Sequence, residues 1–310
     1  MEATLRWILI TAIAPVAWGT NYFVTHAYLP ADHPLYGAAI RALPAGLLLL
    51  AVRRERPHGP WWWKSLVLGA LNMGGFFALI YVAAQLLPTS TASTVMAASP
   101  LVMMLIAWAL LAERPRLLPL AGAVVGLGGV CLMLLTGTAS IDVRGVLASV
   151  AAMLMSSLGY VLAKRWGAEV DVLASTAWQL IAGGLLLLPL AALVEGAPPA
   201  LDVPAALGFG YVTVVATALA FAAWFGGLRH LPAATVGLVG LLNPVTGVLL
   251  GTLIAGESLT LRQLCGLALV LAGILLGRPV VRRRVRVASA IKAARPSTPV
   301  RPPASPRRPK

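Results

Sequence analysis

A few polar residues lie deep inside long apolar stretches, and their types suit ligand binding better than catalysis. Asn72, Ser99 and Asn243 fall near the middle of such stretches. An amide facing lipid there would be costly, so these side chains should face the protein interior. Two hypotheses fit them: they line a central substrate cavity, or they form hydrogen bonds between helices, worth about 0.6 to 2 kcal/mol each.

Arg41 adds a positive charge within an apolar stretch. It lies about seven residues from the end of that stretch, or roughly 10 Å deep at 1.5 Å per helical residue. Its guanidinium either reaches the lipid headgroups or faces the cavity and meets a carboxylate or another anionic group of a substrate. We prefer the cavity.

The residues needed for catalysis at membrane depth are missing from the sequence. There is no HExxH motif, no pair of embedded aspartates, no embedded histidine placed to activate a serine, and no Walker motif. Cys131 and Cys265 lie in apolar runs and are interpreted as buried small residues. We therefore expect no enzyme activity, metal or cofactor. Proton antiport, uniport and exchange all remain open, because the ten acids lie in loops, termini or helix ends.

Composition indicates a polytopic membrane protein. Of the 310 residues, 59% are hydrophobic and 11% charged, whereas soluble domains carry about a quarter charged residues. Apolar runs of roughly 18 residues or more recur along the chain, each long enough to cross a bilayer as a helix. The sequence predicts an all-α protein with ten transmembrane helices, at residues 7–28, 34–52, 62–85, 90–111, 117–136, 145–163, 172–194, 204–227, 233–255 and 261–277.

The cations predict the orientation. The N-terminus and every second loop hold ten Lys and Arg residues, while the opposite loops hold only Arg144 and Arg262. By the positive-inside rule both termini are expected in the cytoplasm. Residues 278–310 are basic and rich in proline, which favours a disordered cytoplasmic tail resting on anionic lipid over a segment that binds nucleic acid or another partner.

The chain repeats itself. At an offset of 144 residues, Leu87-Pro88 matches Leu231-Pro232, Ser99-Pro100 matches Asn243-Pro244, Glu113 matches Glu257, and Gly129 matches Gly273. At an offset of 138, the earlier spans match at Gly46 and Gly184 and at Arg41 and Gln179. Residues 1–136 and 145–277 are thus predicted as two five-helix repeats. Because five is odd, the halves have inverted topology, which suits alternating access.

Three segments also resemble the EamA family of the drug/metabolite transporter superfamily. They are GESLTLRQLCGLALVLAG at 256–273, LPAATVGLVGLLNP at 231–244 and WGTN at 18–21. The resemblance spans about residues 7–277 and departs from the pattern at Pro119, which stands at the position of Gln263, and at Ser156–Gly159, which replace WGTN. It implies ten helices and export of small metabolites or drugs, without identifying the substrate.

Further site candidates come from aromatic and polar residues. Trp18 and Trp178 lie farther from the span ends than other rings and are predicted to form cavity walls, with simple packing as the alternative. Asn21 belongs to the WGTN segment, and Gln179 is the predicted polar partner of Arg41. These residues complete the predicted substrate-binding set: Trp18, Asn21, Arg41, Asn72, Ser99, Trp178, Gln179 and Asn243.

Two prolines and two glutamates are candidates for hinges and gates. Pro100 and Pro244 each remove the donor for a carbonyl one turn earlier. Glu113 and Glu257 end their spans, where a carboxylate opposes the helix dipole and calls for a partner. Arg114 or Arg116 and Arg262 are the predicted partners of gating ion pairs; solvated interfacial charges are the alternative.

We therefore expect a secondary transporter of the plasma membrane that exports a small organic metabolite. A non-transporting receptor or scaffold, and a translocator of lipid-linked substrates, are the alternatives. Spans five and ten are expected to support the two halves or to form a homodimer contact.

Overall fold

The computed structural model describes residues 2–28, 32–87, 89–134, 142–255 and 260–277, and the α-helices there account for most residues. They are α1 Glu2–Tyr28, α2 Pro34–Arg53, α3 Trp61–Gly69, α4 Gly75–Leu86, α5 Thr89–Met96, α6 Ser99–Leu111, α7 Leu117–Leu134, α8 Val143–Trp166, α9 Val172–Val194, α10 Val203–Thr213, α11 Ala220–His230, α12 Ala233–Gly240, α13 Leu242–Ala255 and α14 Leu261–Leu276.

The protein is a multi-pass membrane protein. Within the described ranges, nine helical stretches are long and apolar enough to cross a bilayer, and α14 is a shorter apolar helix of 16 residues. Large apolar side chains such as Leu117, Leu193 and Leu253 point outward from the bundle, each about four-fifths exposed. Such a surface is suited to lipid.

Four of the membrane stretches are interrupted. A π-helical turn at Ala70–Gly74 joins α3 to α4, and another at Val214–Leu219 joins α10 to α11. The α-helix also breaks between α5 and α6, at Ala97 and Ala98, and between α12 and α13, at Leu241. These breaks lie two or three residues before Pro100 and Pro244. Proline lacks the N–H that would continue the helical hydrogen bonds across each break.

Small residues bring two helix pairs into close contact. In the α2–α9 pair, Gly46 packs on Ile181 and Gly184 packs on Leu43. In the α7–α14 pair, a β-carbon on Gly129 would lie 2.7 Å from the carbonyl oxygen of Gly266. Spans five and ten therefore pack on each other through their glycines, as small residues allow in membrane helices.

Cations from several loops meet at one end of the bundle, which we call the basic end. Arg53 forms an ion pair with Asp171, and Arg229 donates to the carbonyl oxygens of Ala168 and Val170. Asp171 also caps α9, accepting from the N–H groups of Leu173 and Ala174. Burial alone would raise the pKa of Asp171, but the bonds from Arg53 and the capping N–H groups outweigh it and lower the pKa.

Candidate functional site

A cavity of about 270 Å³ lies in the middle of the bundle. The two stretches that break near a proline both contribute to it, with Ala97 and Ser99 beside one break and Leu241 and Asn243 beside the other. Discontinuous membrane helices often form substrate sites, because backbone N–H and C=O groups at the break are left without helical partners and can bind a ligand. Of the predicted residues, Trp18, Arg41, Ser99, Asn243 and Pro244 line the cavity.

Arg41 is buried at the cavity wall and is held by the π-helical turn of span eight. Its Nε donates to Thr217 Oγ1 at 2.9 Å, and its Nη2 donates to the Ala216 carbonyl oxygen at 3.1 Å. Its guanidinium carbon lies 5.2 Å from the ring centre of Phe77, within range of a cation–π contact. No carboxylate forms an ion pair with Arg41 in the described ranges.

Trp18 is anchored to the same π-helical turn. Its Nε1 donates to the Ala216 carbonyl oxygen at 3.1 Å, so that oxygen accepts from both Trp18 and Arg41. The Trp18 ring packs 5.1 Å from Phe221 and 5.2 Å from Trp224 between ring centres. The carbonyl of Ala216 thus positions both the arginine and the aromatic rings of the cavity wall. Such π-helical turns are frequent at functional sites.

Aromatic rings form the side of the cavity that faces the basic end. Tyr160 packs on Trp224 with ring centres 5.4 Å apart, and Trp224 is 3% exposed. The indole N–H of Trp224 and the Oδ1 of Asn243 are buried and have no hydrogen-bond partner in the described part of the chain. Unpaired buried groups are costly, and here both belong to side chains that line the cavity.

Asn72 and Gln179 pair with each other and do not line the cavity. Asn72 lies in the π-helical turn of span three, and its Nδ2 donates to Gln179 Oε1 at 2.9 Å. Gln179 in turn donates to the Ser175 carbonyl oxygen. The predicted contact of Gln179 with Arg41 is therefore replaced, because both side chains have other partners.

Trp178 lies outside the cavity lining, toward the basic end. Its Nε1 donates to the Glu55 carbonyl oxygen at 2.8 Å, and its ring packs on His58 and Trp61. These contacts fasten the loop between spans two and three. The side chain of Asn21, and Glu257 as a whole, lie outside the described residues.

Glu113 forms an ion pair, with a partner other than the predicted Arg114 or Arg116. Its Oε1 lies 2.5 Å from Lys164 Nζ, and its Oε2 accepts from the backbone N–H of Ala233 at 2.9 Å. Lys164 also donates to the Leu231 carbonyl oxygen at 2.7 Å. The network joins the end of α6 to the end of α8 and the start of α12. Arg114 and Arg116 are exposed, so their nearness to Glu113 in the sequence does not make them its ion-pair partners.

Several cavity residues were not singled out from the sequence. They are Phe76, Phe77, Ile80, Ser93, Met96, Met103 and Phe221. Phe77 and Phe221 match at the 144-residue offset, so the internal repeat held a usable signal for them. In a sequence with so many apolar residues, composition alone could not separate these rings from those that pack in the core.

An interrupted helical bundle around a cavity with a few polar groups is typical of membrane transport proteins. The chain belongs to the EamA-like transporter family, because the model of that family matches residues 5–135 and 143–277. This confirms the resemblance inferred from the three sequence segments.

Similar proteins support the same class. The chain is 37% identical to Protein PecM of Dickeya dadantii (strain 3937) over 265 residues, covering 85% of this chain and 89% of that protein. It is 28% identical to the uncharacterized transporter YvbV of Bacillus subtilis (strain 168), covering 87% and 91%. It is 27% identical to the uncharacterized inner membrane transporter YedA of Escherichia coli (strain K12), covering 84% and 87%.

A solved crystal structure has the same fold. It superposes with a TM-score of 0.77 at 23% identity and covers 87% of this chain and 96% of that chain. At this identity the likeness shows the fold alone.

Proposed function

We propose that this protein is a secondary transporter that exports a small organic metabolite across the plasma membrane by alternating access. Ten helices form two inverted five-helix repeats, residues 1–136 and 145–277, and both termini are cytoplasmic. Two separate family matches, one in each half, support the repeats. The meeting of loop cations at the basic end supports the orientation.

The observation that carries the proposal is that the cavity lining comes in repeat-related pairs. One lining pair, Trp18 and Ser156, is 138 residues apart. Other lining pairs are 144 residues apart: Phe77 and Phe221, Ile80 and Trp224, Met96 and Gly240, Ala97 and Leu241, and Ser99 and Asn243. A cavity lined by equivalent positions of both halves lies on the axis that relates them. Exchanging the conformations of the halves then exposes the same site to the other side.

The glycine contacts follow the same rule. A β-carbon on Gly122 would lie 2.4 Å from the Gly273 carbonyl oxygen, and one on Gly266 would lie 2.6 Å from that of Gly129. At the 144-residue offset, Gly122 corresponds to Gly266 and Gly273 corresponds to Gly129. The second contact is therefore the repeat-related copy of the first. Such an exchange is what an inverted repeat requires of spans five and ten.

The Glu113–Lys164 network acts as the gate at the basic end in this proposal. Lys164 lies one helical turn beyond Tyr160, which lines the cavity, so the ion pair caps the aromatic side of the cavity. At the repeat offsets Glu113 corresponds to Glu257 and Lys164 to His26. These two residues are the proposed counterpart at the other end, and both of their side chains lie outside the described residues.

The test is an untargeted comparison of extracellular metabolites from cells that express the intact protein, Arg41→Ala, Glu113→Gln, or none of these. We expect a compound that cells with the intact protein release and cells with none of these proteins do not. Both variants should release it several-fold more slowly, with equal amounts of each protein in the membrane. Equal release from all cells would contradict export. Equal release by the Glu113→Gln variant and the intact protein would remove the gate.

A further inference from the structure

We propose that the cavity takes an aromatic monoanion, a molecule of one or two rings with a single negative charge and no positive one. This rests on the proposed function and adds the substrate class. Its evidence is the charge of the cavity, the chemistry of its walls, and its size.

The charge of the cavity is one uncompensated cation. Arg41 is 8% exposed and lines the cavity, and no Asp or Glu is among the lining residues. The nine acids within the described residues lie in loops or at helix ends, and none of them forms an ion pair with Arg41. A buried positive charge without a counter-charge is costly, and an anionic ligand would neutralise it. An ammonium group would find no carboxylate, which disfavours cations and zwitterions such as amino acids.

Arg41 also has free hydrogen-bonding capacity. The guanidinium carries five N–H donors in a planar fork. Its bonds to Thr217 and Ala216 use two of them. These two bonds fix the orientation of the fork, and the remaining donors suit the bidentate recognition of a carboxylate or sulfonate.

The walls next to Arg41 are rings. Phe77 stacks on the guanidinium, and Trp18 shares the Ala216 carbonyl oxygen with it. Trp18, Phe221 and Trp224 then continue as a cluster with ring centres about 5 Å apart. Aromatic pairs prefer offset or edge-to-face contacts at such distances, so an aromatic ligand extends the cluster where an aliphatic chain would only fill space.

The size limits the ligand to a small one. The cavity of about 270 Å³ lies below the range of roughly 300 to 1,000 Å³ that is typical of sites for drug-sized ligands. One or two rings with an acidic group fit that limit. A polar substituent on the far ring would pair with the unpartnered N–H of Trp224 or Oδ1 of Asn243 after a small side-chain rotation, which removes the cost of leaving them unpaired.

The experiment is calorimetric titration of the full-length protein in lipid nanodiscs, with empty nanodiscs as the partition control. The probes are naphthalene-2-sulfonate, its neutral counterpart naphthalene-2-sulfonamide, the cation 2-naphthylmethylammonium, and methanesulfonate, which has the charge without the ring. We expect the aromatic sulfonate to bind at least about tenfold more tightly than each of the others, as a charged hydrogen bond implies. Binding of the sulfonamide, the cation or methanesulfonate within about twofold of the sulfonate would overturn the proposal.

Variants assign the charge to Arg41. Arg41→Gln should lower the affinity for the sulfonate about tenfold or more and leave the affinity for the sulfonamide unchanged. Arg144→Gln is the matched control, since Arg144 is exposed and its guanidinium bonds only to Asp142 within the described residues. Unchanged sulfonate binding by a folded Arg41→Gln variant would overturn the proposal. Where that variant does not fold, the four probes on the intact protein still decide the ligand class.

The two proposals fail separately. Tight sulfonate binding without any metabolite released from cells would support the ligand class and remove the transporter function. Release of a metabolite by a protein that binds no aromatic anion would support the transporter function and remove the ligand class.

Discussion

At the scale of single residues, the two proposed repeats hold one related polar site each, and only one of these sites is charged. Arg41 and Gln179 match at the 138-residue offset, and their partners Ala216 and Asn72 match at the 144-residue offset. Each pair joins a continuous α-helix to a π-helical turn. Arg41 lines the central cavity, whereas Gln179 is buried outside it and borders only a separate pocket of about 20 Å³. The first site is therefore suited to binding and the second to holding the bundle together.

This division predicts a variant that weakens the fold and spares the binding site. Gln179→Met would leave the buried amide of Asn72 without its partner and lower the free energy of unfolding by about 1 to 2 kcal/mol. The affinity for the aromatic sulfonate should stay unchanged. Thermal unfolding and titration of the same sample measure both, and Gln85→Met, at an exposed position, is the control. A variant with unchanged stability and tenfold weaker binding would instead place Gln179 in the binding site.

The polar residues show how far the sequence led at this scale. Depth in an apolar span selected Arg41 and Asn72, and the 138-residue offset selected Gln179. All three are buried. Depth does not determine which face of a helix a side chain occupies, however. Asn72 donates to Gln179 because their helices touch at that point, while the Oδ1 of Asn72 has no partner in the described residues. Such a contact between distant parts of the chain leaves no local pattern.

At the scale of elements, the α7–α14 contact depends on the absence of side chains. A β-carbon at Gly129 would meet the Gly266 carbonyl oxygen at 2.7 Å and the Val270 nitrogen at 2.8 Å, and a backbone cannot move aside like a side chain. Gly129→Ala should therefore separate the helices and cost about 1 to 3 kcal/mol of stability. Gly128→Ala is the matched control, because nothing lies within 4 Å of its β-carbon. Equal unfolding temperatures of the two variants would contradict this account of the contact.

The apolar spans were predictable as elements, but their interruptions were predictable only in part. Pro100 and Pro244 indicated disturbed helices, and the breaks lie beside them. The π-helical turns at Ala70–Gly74 and Val214–Leu219 contain no proline and have no sequence signature that we recognise. They begin 144 residues apart, so the repeat could have related them once one was known. Because Arg41 and Trp18 both bond to the second turn, the geometry of the cavity could not be predicted from the sequence.

At the scale of the whole molecule, Arg41, the one cation among the described lining residues, limits how transport can be driven. Among the described residues that line the cavity there is no carboxylate to carry a coupling proton. An anionic substrate needs none, because a membrane potential that is negative inside drives each negative charge outward by about 2.3 kcal/mol per 100 mV. Electrogenic export of an aromatic monoanion is therefore the cycle that fits the proposed orientation and cavity.

The most direct test of the transport claim is efflux of naphthalene-2-sulfonate from proteoliposomes, once its binding to the intact protein is measured. A potassium diffusion potential, set with valinomycin, makes the interior negative. The account predicts release that is faster than from protein-free liposomes, that rises with the potential, and that falls about tenfold or more with Arg41→Gln. If the protein binds the sulfonate but efflux is no faster than from protein-free liposomes at every potential, the transport claim is contradicted.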